Sequence, residues 1–505
     1  MKAITRREAA KRVVGSLLAA PAILHGYRRS GDKPNLLFLW TDQQRANTLA
    51  AYGNRSFRVP VMNDLAAHSV VFGRCYDSQP VCTPARSTVM TGLWPHQNDC
   101  TNNNIPLPAG TKTVPELLND AAYRTGYMGK WHLGDEVFAQ HGFQEWVSIE
   151  DAYIKHYSDE AKRKVRSSYH HFLERLGYKP DTPNGIFSRP FACRRPLEQC
   201  KPAFLSGEAA EFIMKHRREP WMLYVNFLEP HPPYLGPLDD LYSDAEAPLP
   251  RNYPGRGVDR EPAFYESLRK VQREEIENWI GWKRHTPSVA TSNGAWRDAL
   301  RTLNRHYAGL CSQVDRALGK ILWTLEASGQ ADNTIIVFTS DHGEMGGSHC
   351  LIQKSVMYEE AMHVPLLLRV PWRQSRQVNI TQPVSHIDLV PTILELLHGK
   401  ATESLPGESW LGLLEDRPRR EDHVFVEWTD KQGGPDARTV IAPDGWKLIL
   451  YDKDNSMLFH RDRDPLEMSN LYYHSEHQAT VRALRERIQK WQQRQADKMP
   501  LPDLA

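Results

Sequence analysis

Three short apolar runs, each followed at once by polar residues, organise the middle of the chain. They span residues 35–40, 221–227 and 334–338. An unbroken apolar run of this length is typical of a strand that is buried on both faces of a parallel sheet. Helical patterns lie between the runs, for example over residues 307–328, where the pattern closes at Gly329. Strands that alternate with helices predict an α/β fold with a large, mostly parallel sheet sandwiched by helices.

The pattern changes at about residue 420. Short strands are predicted over residues 424–428, 438–441 and 446–451, and a polar amphipathic helix over about 478–493. These elements predict a small C-terminal antiparallel sheet plus a helix. The chain would then divide into a main domain over residues 34–419 and a small α+β subdomain over residues 420–505.

The first 33 residues differ from the rest of the chain. Arg6 and Arg7 precede a modest apolar run over residues 13–24, which is too short to cross a bilayer comfortably. This arrangement resembles a signal peptide of the twin-arginine type and predicts export by the twin-arginine translocase to the bacterial periplasm or beyond. The alternative is an ordinary basic start to a first helix. No other stretch of the sequence approaches a membrane span, so we expect no integral membrane segment.

Composition and charge narrow the classes of function. Of the 505 residues, 40% are hydrophobic and 25% are charged, as in ordinary soluble globular proteins. The formal net charge is only +2, so we expect no nucleic-acid partner, and affinity for an anion must come from a local cluster. Seven cysteines are too few for a disulfide scaffold, although Cys193 and Cys200 could pair. The odd count leaves at least one cysteine unpaired.

Residues 82–86, Cys-Thr-Pro-Ala-Arg, are the first candidates for chemistry. Pro84 predicts the first turn of a helix, so Cys82 would lie at a helix N-terminus, where backbone N–H groups favour anions. Arg86 follows one turn later on the same face. A thiol nucleophile would need a nearby histidine base, and the local sequence has none. Taken alone, this segment is equally consistent with a buried packing cysteine.

Three segments, taken together, carry a resemblance to a known family. They are residues 82–92, residues 126–134 and Asp341-His342-Gly343, with Lys354 further along the chain. They resemble, in the same order, the motifs of the sulfatase family, formylglycine-dependent enzymes of the alkaline phosphatase-like superfamily. The resemblance runs from about residue 35 to residue 471. It implies an alkaline phosphatase-like fold and the hydrolysis of a sulfate ester.

The resemblance also implies a modified residue and a metal. A formylglycine-generating enzyme would oxidise Cys82 to formylglycine (3-oxoalanine), whose hydrate attacks the sulfur. The metal ligands would be Asp42, Gln43, Asp341 and His342, together with the residue made from Cys82. Two carboxylates and an amide oxygen suit Ca²⁺. Gln43 stands where an aspartate is frequent and His342 where an asparagine is frequent, which leaves Mg²⁺ or Mn²⁺ open as well.

The same resemblance assigns roles to five side chains around the sulfate. Arg86 and Lys130 would hold the hydrate and the sulfate oxygens, and His132 would be the base that collapses the sulfated hydrate. His231 would protonate the leaving oxygen, and Lys354 would bridge the sulfate and the leaving group. Lys130 and His132 lie two residues apart, so an extended segment would point both side chains the same way.

Two other functions stay open at this point. One is phosphonate monoester or phosphodiester hydrolysis, because relatives with that activity share the formylglycine and the Gln43 and His342 variants. The other is a non-catalytic glycan-binding protein, which the complete set of acid, base and metal positions opposes.

The substrate is the least defined part of the prediction. Export by a bacterium favours a sulfated saccharide from the environment. Two stretches rich in charge, proline and glycine, residues 151–200 and 237–296, predict insertions that would help to decide the sugar and the linkage. Four residues after the motif would either line the substrate pocket or have structural roles: Trp94, His96, Asn103 and Asn104.

Overall fold

The computed structural model describes residues 33–254, 258–282, 288–398, 405–415, 417–430 and 433–504. Apart from Lys33, the predicted leader lies outside these residues. The chain from Lys33 onwards forms one compact unit, so the predicted division between residues 419 and 420 stays a prediction. The predicted fold class is confirmed, because helices cover a large, mostly parallel sheet and a small antiparallel sheet follows it near the C-terminus.

The strands of the described residues form three sheets. In chain order the strands are β1 (Asn35–Asp42), β2 (Val70–Phe72), β3 (Cys75–Tyr76), β4 (Arg124–Gly129), β5 (Glu145–Ser148), β6 (Trp221–Pro230), β7 (Thr334–Ser340), β8 (His363–Val364), β9 (Leu366–Arg369), β10 (Val378–Ile380), β11 (Val384–Ser385), β12 (Val424–Trp428), β13 (Ala437–Ile441), β14 (Trp446–Tyr451) and β15 (Met457–His460). The main sheet has the order β10-β2-β9-β7-β1-β6-β4-β5, and within it only β9 runs antiparallel to its neighbours. A second, three-stranded sheet has the order β11-β3-β8, and β12 to β15 form the third.

The α-helices of the described residues lie between and after these strands. In chain order they are α1 (Pro60–Ala67), α2 (Cys82–Thr91), α3 (Val114–Leu118), α4 (Ser168–Arg175), α5 (Arg189–Cys193), α6 (Lys201–Lys215), α7 (Phe264–Trp279), α8 (Asn293–Ala327), α9 (Glu359–Met362), α10 (Leu389–His398), α11 (Leu411–Leu414) and α12 (Gln478–Gln495).

The central strand β1 shows how the apolar pattern produces layers. Leu37 and Leu39 pack into a core that includes residues of α6 and α8. Leu36, Phe38 and Trp40 pack into a second core that includes residues of α2 and α10. Because successive side chains of a strand point to opposite faces, an unbroken apolar run requires an apolar layer on each side of the sheet.

The parallel strands also bring their carboxyl ends to one edge of the sheet. In the β1–β6 ladder Trp40 is opposite Asn226, and in the β4–β6 ladder Gly129 is opposite the same residue. In the β1–β7 ladder Thr41 is opposite Ser340. The polar segments that follow these strands are therefore close together in space, at the edge where open α/β sheets bind ligands.

The C-terminal sheet is an antiparallel meander that packs on the main unit. Its residues Val426 and Tyr451 share a core with Met357 and Tyr358 of the main unit. Its other face packs against α12, which contributes Trp491. The short strand β15 was not predicted, and α12 extends two residues beyond the predicted end.

The helix predicted over residues 307–328 is longer than its pattern indicated. It begins at Asn293, where the side chain of Ser292 accepts a hydrogen bond from the backbone N–H of Ala295. Buried Leu300 and Leu303 continue the helical spacing through the segment that the prediction left out.

The described residues include all seven cysteines of the chain. Cys193 and Cys200 are both buried free thiols, so the two are not paired in this structure. Burial raises the pKa of both thiols, and that of Cys100, to about 12. Protonated thiols of this kind are inert at neutral pH.

Within the described residues, no helix has both the length and the apolar content that a membrane crossing requires.

Candidate active site

Cys82 is the first residue of the buried helix α2, as the sequence predicts. Its Sγ lies 3.2 Å from His342 Nε2 and 3.8 Å from Asp42 Oδ1. The histidine beside this thiol thus comes from a loop 260 residues further along the chain. Burial and Asp42 raise the pKa of the thiol, but Lys130, Lys354 and His342 outweigh them and lower it to about 7.

Four side chains converge in a cluster that could hold a metal ion: Asp42, Cys82, Asp341 and His342. One potential ligand atom from each lies within 4.8 Å of the others, and all four residues are buried. His342 Nδ1 lies 3.0 Å from the carbonyl oxygen of Gly343, so in the neutral imidazole Nδ1 carries the proton and Nε2 presents its lone pair to the cluster. The two carboxylates and the imidazole of this cluster are ligand types that a divalent cation accepts.

Gln43 lies beside this cluster, and its amide is oriented by Glu344. The Gln43 nitrogen donates to Glu344 Oε2 and, at 3.1 Å, to the hydroxyl of Tyr234. Its oxygen therefore faces Lys354 Nζ, at 2.5 Å. Sequence reasoning missed Glu344, although an acidic residue three positions after Asp341 in the same motif was a signal that could have identified it.

Arg86 and Lys130 pair with the carboxylates of the cluster. Arg86 Nη2 lies 2.7 Å from Asp42 Oδ2 and 2.9 Å from Asp341 Oδ2, and Nη1 donates to Asn226 Oδ1 at 2.9 Å. Lys130 Nζ lies 2.5 Å from Asp42 Oδ2. Burial opposes both cations, but the neighbouring carboxylates raise the pKa of each above its ordinary value, so both stay positively charged. Asn226 is a further residue that the sequence did not identify.

His132 lies on a turn and not on an extended segment. Strand β4 ends at Gly129, and His132 has φ 58°, in the left-handed region. The alternation of side chains in an extended segment therefore does not apply to Lys130 and His132. Buried Glu136, which sequence reasoning also missed, stabilises the turn because it accepts hydrogen bonds from the backbone N–H groups of Trp131 at 2.8 Å and His132 at 2.6 Å.

The imidazole of His132 is held from two sides. Nε2 lies 3.0 Å from Asn104 Oδ1, and the ring stacks on Tyr153 with 4.0 Å between the centroids. An amide oxygen only accepts, so Nε2 donates and Nδ1 keeps its lone pair, with no hydrogen-bond partner among the described residues. Burial, followed by the charges of Lys130 and Arg86, lowers the pKa of His132 well below its ordinary value, so the ring is neutral at pH 7.

His231 and Lys354 complete the set of predicted residues. His231 follows the end of β6, is half-buried, and its Nδ1 lies 2.6 Å from the carbonyl oxygen of Pro232. Burial and then Lys354 lower the pKa of His231 well below its ordinary value, against the opposite effect of Asp42. Lys354 is buried beside the Gln43 oxygen. Arg86 and Lys130 contact the carboxylates, and Lys354 adds a third positive charge nearby, a local concentration of cations that favours an anion.

The four residues that the sequence left open divide into two pairs. Asn103 accepts from the backbone at the start of α2, and Asn104 contacts His132, so both lie at the site. Trp94 packs against α12 and His96 hydrogen-bonds to β12, so both have structural roles.

Family models match almost the whole described chain. The model "Sulfatase" matches residues 34–399. The model "N-sulphoglucosamine sulphohydrolase, C-terminal" matches residues 347–494 and so covers the C-terminal sheet and most of α12.

Individual relatives and solved structures agree with these matches. The chain is 30% identical over 454 residues to the uncharacterized sulfatase YidJ of Escherichia coli K12, with 87% of this chain and 83% of that protein covered. It is 24% identical to an N-acetylglucosamine-6-O-sulfatase of Bacteroides thetaiotaomicron, over 93% of this chain and 88% of the other.

Two solved structures share the fold. One, solved with its substrate D-glucosamine-2-N,6-O-disulfate, has a TM-score of 0.72 at 22% identity and covers 93% of this chain and 99% of its own. The phosphonate monoester hydrolase of Agrobacterium radiobacter has a TM-score of 0.71 at 21% identity and covers 92% and 96%. On the strength of the family model and the YidJ relative, the chain belongs to the sulfatase family, a family of sulfuric ester hydrolases.

Proposed function

We propose that the protein hydrolyses a sulfate ester of a saccharide, with a formylglycine made from Cys82 as the nucleophile beside a divalent metal. The observation that carries this proposal is the convergence of residue 82 with two buried carboxylates, His342 and three cations. A sulfate monoester surrounds an electrophilic sulfur with anionic oxygens. Cations must therefore offset the charge of those oxygens before a nucleophile can reach the sulfur.

Two features of residue 82 support its proposed role as that nucleophile. It starts a ten-residue helix, so the first backbone N–H groups of α2 favour an anion next to it. Addition of water to the aldehyde would give a hydrate with two hydroxyl groups, which a cysteine lacks. Arg86, one turn further along the same helix, would hold the sulfate oxygens or the hydroxyl on residue 82.

Ca²⁺ is the ion that we propose for the cluster, with Asp42, Asp341, His342 and residue 82 as ligands and Gln43 as a further oxygen donor. When bound, the ion would supply positive charge that lowers the pKa of a hydroxyl on residue 82. In the structure the Gln43 oxygen contacts Lys354, so its role as a ligand depends on that contact being shared or released.

Metal binding can be tested without measuring activity. We expect Ca²⁺ to raise the melting temperature of chelator-treated protein more than Mg²⁺ or Mn²⁺ does. Asp341→Asn should lose most of this shift, because it removes one buried carboxylate charge, whereas Asp444→Asn at an exposed turn should keep it. A larger shift with Mg²⁺ or Mn²⁺ would replace Ca²⁺ in the proposal, and no shift with any of the three would contradict the metal site.

Two histidines would carry the protons. His132 is neutral and has a free lone pair on Nδ1, as a general base requires. His231 directs Nδ1–H to the Pro232 carbonyl, so Nε2 would deliver a proton to the leaving oxygen. The bound sulfate would offset the charge of Lys354, which otherwise lowers the pKa of His231, and so favour the protonated acid.

Parallel assays test the reaction. After co-expression with a formylglycine-generating enzyme, intact mass should show the aldehyde at residue 82. The matured protein should cleave 4-nitrophenyl sulfate faster than a 4-nitrophenyl phosphonate ester, and Cys82→Ala should abolish both activities. Turnover of the phosphonate that is faster by orders of magnitude would replace the proposed reaction. An unmodified cysteine with no turnover would favour a glycan-binding protein.

The saccharide part of the proposal rests on the relatives. They include the N-acetylglucosamine-6-O-sulfatase already described and an ulvan-active sulfatase of Formosa agariphila, which is 24% identical over 87% of this chain and 77% of its own. A panel of defined sulfated saccharides should contain at least one that is cleaved more efficiently than aryl sulfates. Activity on aryl sulfates alone would remove the saccharide from the proposal.

We also propose export through the twin-arginine pathway. That pathway carries folded proteins, so Cys82, which is buried in the fold, would have to be oxidised in the cytoplasm before export. Replacing Arg6 and Arg7 together by lysine should retain the matured protein in the cytoplasm of a bacterial host. Normal export of that variant would contradict the leader assignment.

A further inference from the structure

The segment over residues 151–200, which the sequence indicated as an insertion, places a guanidinium next to the candidate active site. Arg189 is the first residue of α5. Its Cζ lies 5.1 Å from the centroid of the Tyr153 ring. The same ring stacks on His132 and lies 5.6 Å from Lys130 Nζ. One aromatic side chain therefore contacts both the predicted catalytic pair and Arg189.

The charges around Arg189 do not cancel. Arg189 Nε donates to Glu150 Oε2 at 2.8 Å, and Lys201 pairs with the other oxygen of the same carboxylate. Glu150 is buried and carries one negative charge against two cations. Because Lys201 already neutralises Glu150, this trio keeps one positive charge in excess.

Arg189 is the member of the trio that reaches solvent. Its side chain is 24% exposed, whereas that of Lys201 is 4% exposed. Its Nη2 is itself buried, so an anion would approach from the exposed part of the side chain. The charge of Arg189 also contributes to the lowered pKa values of His132 and His231, which places it within electrostatic reach of both imidazoles.

We propose that Arg189 binds a second anionic group, a carboxylate or a sulfate, on the same substrate whose sulfate ester is cleaved at residue 82. A guanidinium donates charge-assisted hydrogen bonds to both anions, and the excess charge beside Glu150 favours either of them. Arg189 is thus a specificity-determining residue, and the preferred substrates carry more than one negative charge. This inference rests on the proposed sulfatase activity.

Matched pairs of aryl sulfates test the proposal, since the members of each pair differ mainly in charge. The carboxylate pair is 3-carboxyphenyl sulfate and 3-carbamoylphenyl sulfate. The sulfonate pair, which stands for a second sulfate that cannot be cleaved, is 3-sulfophenyl sulfate and 3-sulfamoylphenyl sulfate. The matured wild-type protein should show kcat/KM about tenfold higher for the charged member of at least one pair. A factor of about ten is what one additional charge-assisted hydrogen bond is expected to give. The pair with the larger ratio identifies the anion.

Arg189→Met should bring that charged-to-neutral ratio close to one. Lys201 remains to pair with Glu150 in this variant, so no buried carboxylate is left alone. Arg189→Lys, which keeps the charge and loses the planar guanidinium, should give an intermediate ratio. The matched control is Arg195→Met, because Arg195 belongs to the same segment but packs on Phe191 and Tyr178. It should keep the wild-type ratio.

Three results would overturn the proposal. Wild-type turnover with no preference for charge in either pair would remove the second anion. A loss in Arg189→Met that is equal for charged and neutral members would show that Arg189 only positions Tyr153 and His132. Failure of the matured wild type to cleave any of the four sulfates would instead remove the proposed function, and the inference with it.

Discussion

Glu136 illustrates how a single side chain fixes a functional turn. Its carboxylate accepts from two successive backbone N–H groups, those of Trp131 and His132, and so holds His132 at a positive φ. An L-residue in this conformation is strained, and the strain persists only where the surroundings stabilise it. The position of the proposed base therefore depends on a residue that need not touch the substrate.

Glu136→Gln should loosen that turn. The amide offers one acceptor oxygen and turns an NH₂ group towards a backbone N–H, so we expect a loss of about 1–3 kcal/mol in the free energy of unfolding, measured with urea. A displaced His132 should also lower kcat about tenfold or more, at a cost of about 1.4 kcal/mol in the barrier. Glu211→Gln, at an exposed position of α6, should change the free energy of unfolding by less than about 0.5 kcal/mol. Unchanged stability and kcat in Glu136→Gln would show that the turn holds by itself.

His386 gives a prediction about pH at the same scale. Its imidazole is fully buried and 3.0 Å from Thr339 Oγ1, and burial lowers its pKa to about 3. Its pKa in the unfolded chain is about 6.5, so below that pH the unfolded state binds a proton that the folded state does not. At pH 7 the imidazole is mostly neutral in both states, so its burial lowers the free energy of unfolding little. As the pH falls below 6.5, the unfolded state gains a proton and the free energy of unfolding decreases.

The variant His386→Gln isolates this contribution, because its side chain can still donate to Thr339 but does not titrate near neutral pH. From pH 7 to pH 5 the wild type should lose about 2 kcal/mol more unfolding free energy than the variant loses. Urea unfolding of both proteins at the two pH values measures it. A constant difference would mean that His386 titrates equally in both states.

At the scale of elements, Gly129 sets how closely β4 and β6 approach at the edge that carries the site. A Cβ added at Gly129 would lie 1.8 Å from the carbonyl oxygen of Asn226, and the residue has φ 117°. Lys130 follows immediately, so any shift of the strand end moves its ammonium away from Asp42. Only glycine meets both the steric and the conformational requirement here.

Gly129→Ala should therefore be far more damaging than a glycine substitution that changes conformation alone. Gly53 has φ 94° with no atom within 4 Å of the added Cβ, so Gly53→Ala should cost about 1–2 kcal/mol from backbone strain. Gly129→Ala should exceed that cost and also reduce activity, because Lys130 moves. Thermal unfolding and kcat of both variants measure these effects. Equal stability losses would mean that β4 and β6 separate without cost.

At the scale of the whole molecule, the C-terminal sheet and α12 are bound to the main unit through aromatic side chains. Trp491 of α12 stacks on Phe425 with 5.2 Å between centroids and meets Trp94, which follows α2, edge to face at 5.1 Å. The helix that begins at residue 82 thus leads directly into the contact that holds the C-terminal part. Loss of this contact should therefore displace α2 and, with it, the residues of the active site.

Trp491→Ala should lower the free energy of unfolding by about 3–5 kcal/mol, the range for removing a large buried side chain, since Trp491 is 2% exposed. Trp323→Ala is the matched control, because Trp323 is 71% exposed and its loss should cost less than about 0.5 kcal/mol. Chemical denaturation with two probes, near-UV circular dichroism and activity, would show whether the two parts unfold together. Loss of the C-terminal part with retained activity would contradict the link.

The sequence by itself determined the features that depend on short-range order. Unbroken apolar runs specified strands covered on both faces, because successive side chains point to opposite sides. The spacing from Cys82 to Arg86 placed both residues on one face of one helix. The order of three motifs was enough to identify the family. Boundaries were less exact, as the early start of α8 and the unpredicted β15 show.

Only the tertiary structure decided which distant residues meet. His342 Nε2 lies 3.7 Å from Oδ1 of Asp42, the last residue of β1, because β1 and β7 are neighbours in the sheet, an order that local periodicity does not encode. The positive φ of His132 and its partner Glu136 were likewise invisible, since a turn held by a single side chain has no repeating pattern. Arg189 came to the site on an insertion whose path depends on packing with Glu150 and Tyr153. Short-range chemistry can be predicted from residue spacing, whereas long-range contacts depend on the strand order and loop paths of the folded chain.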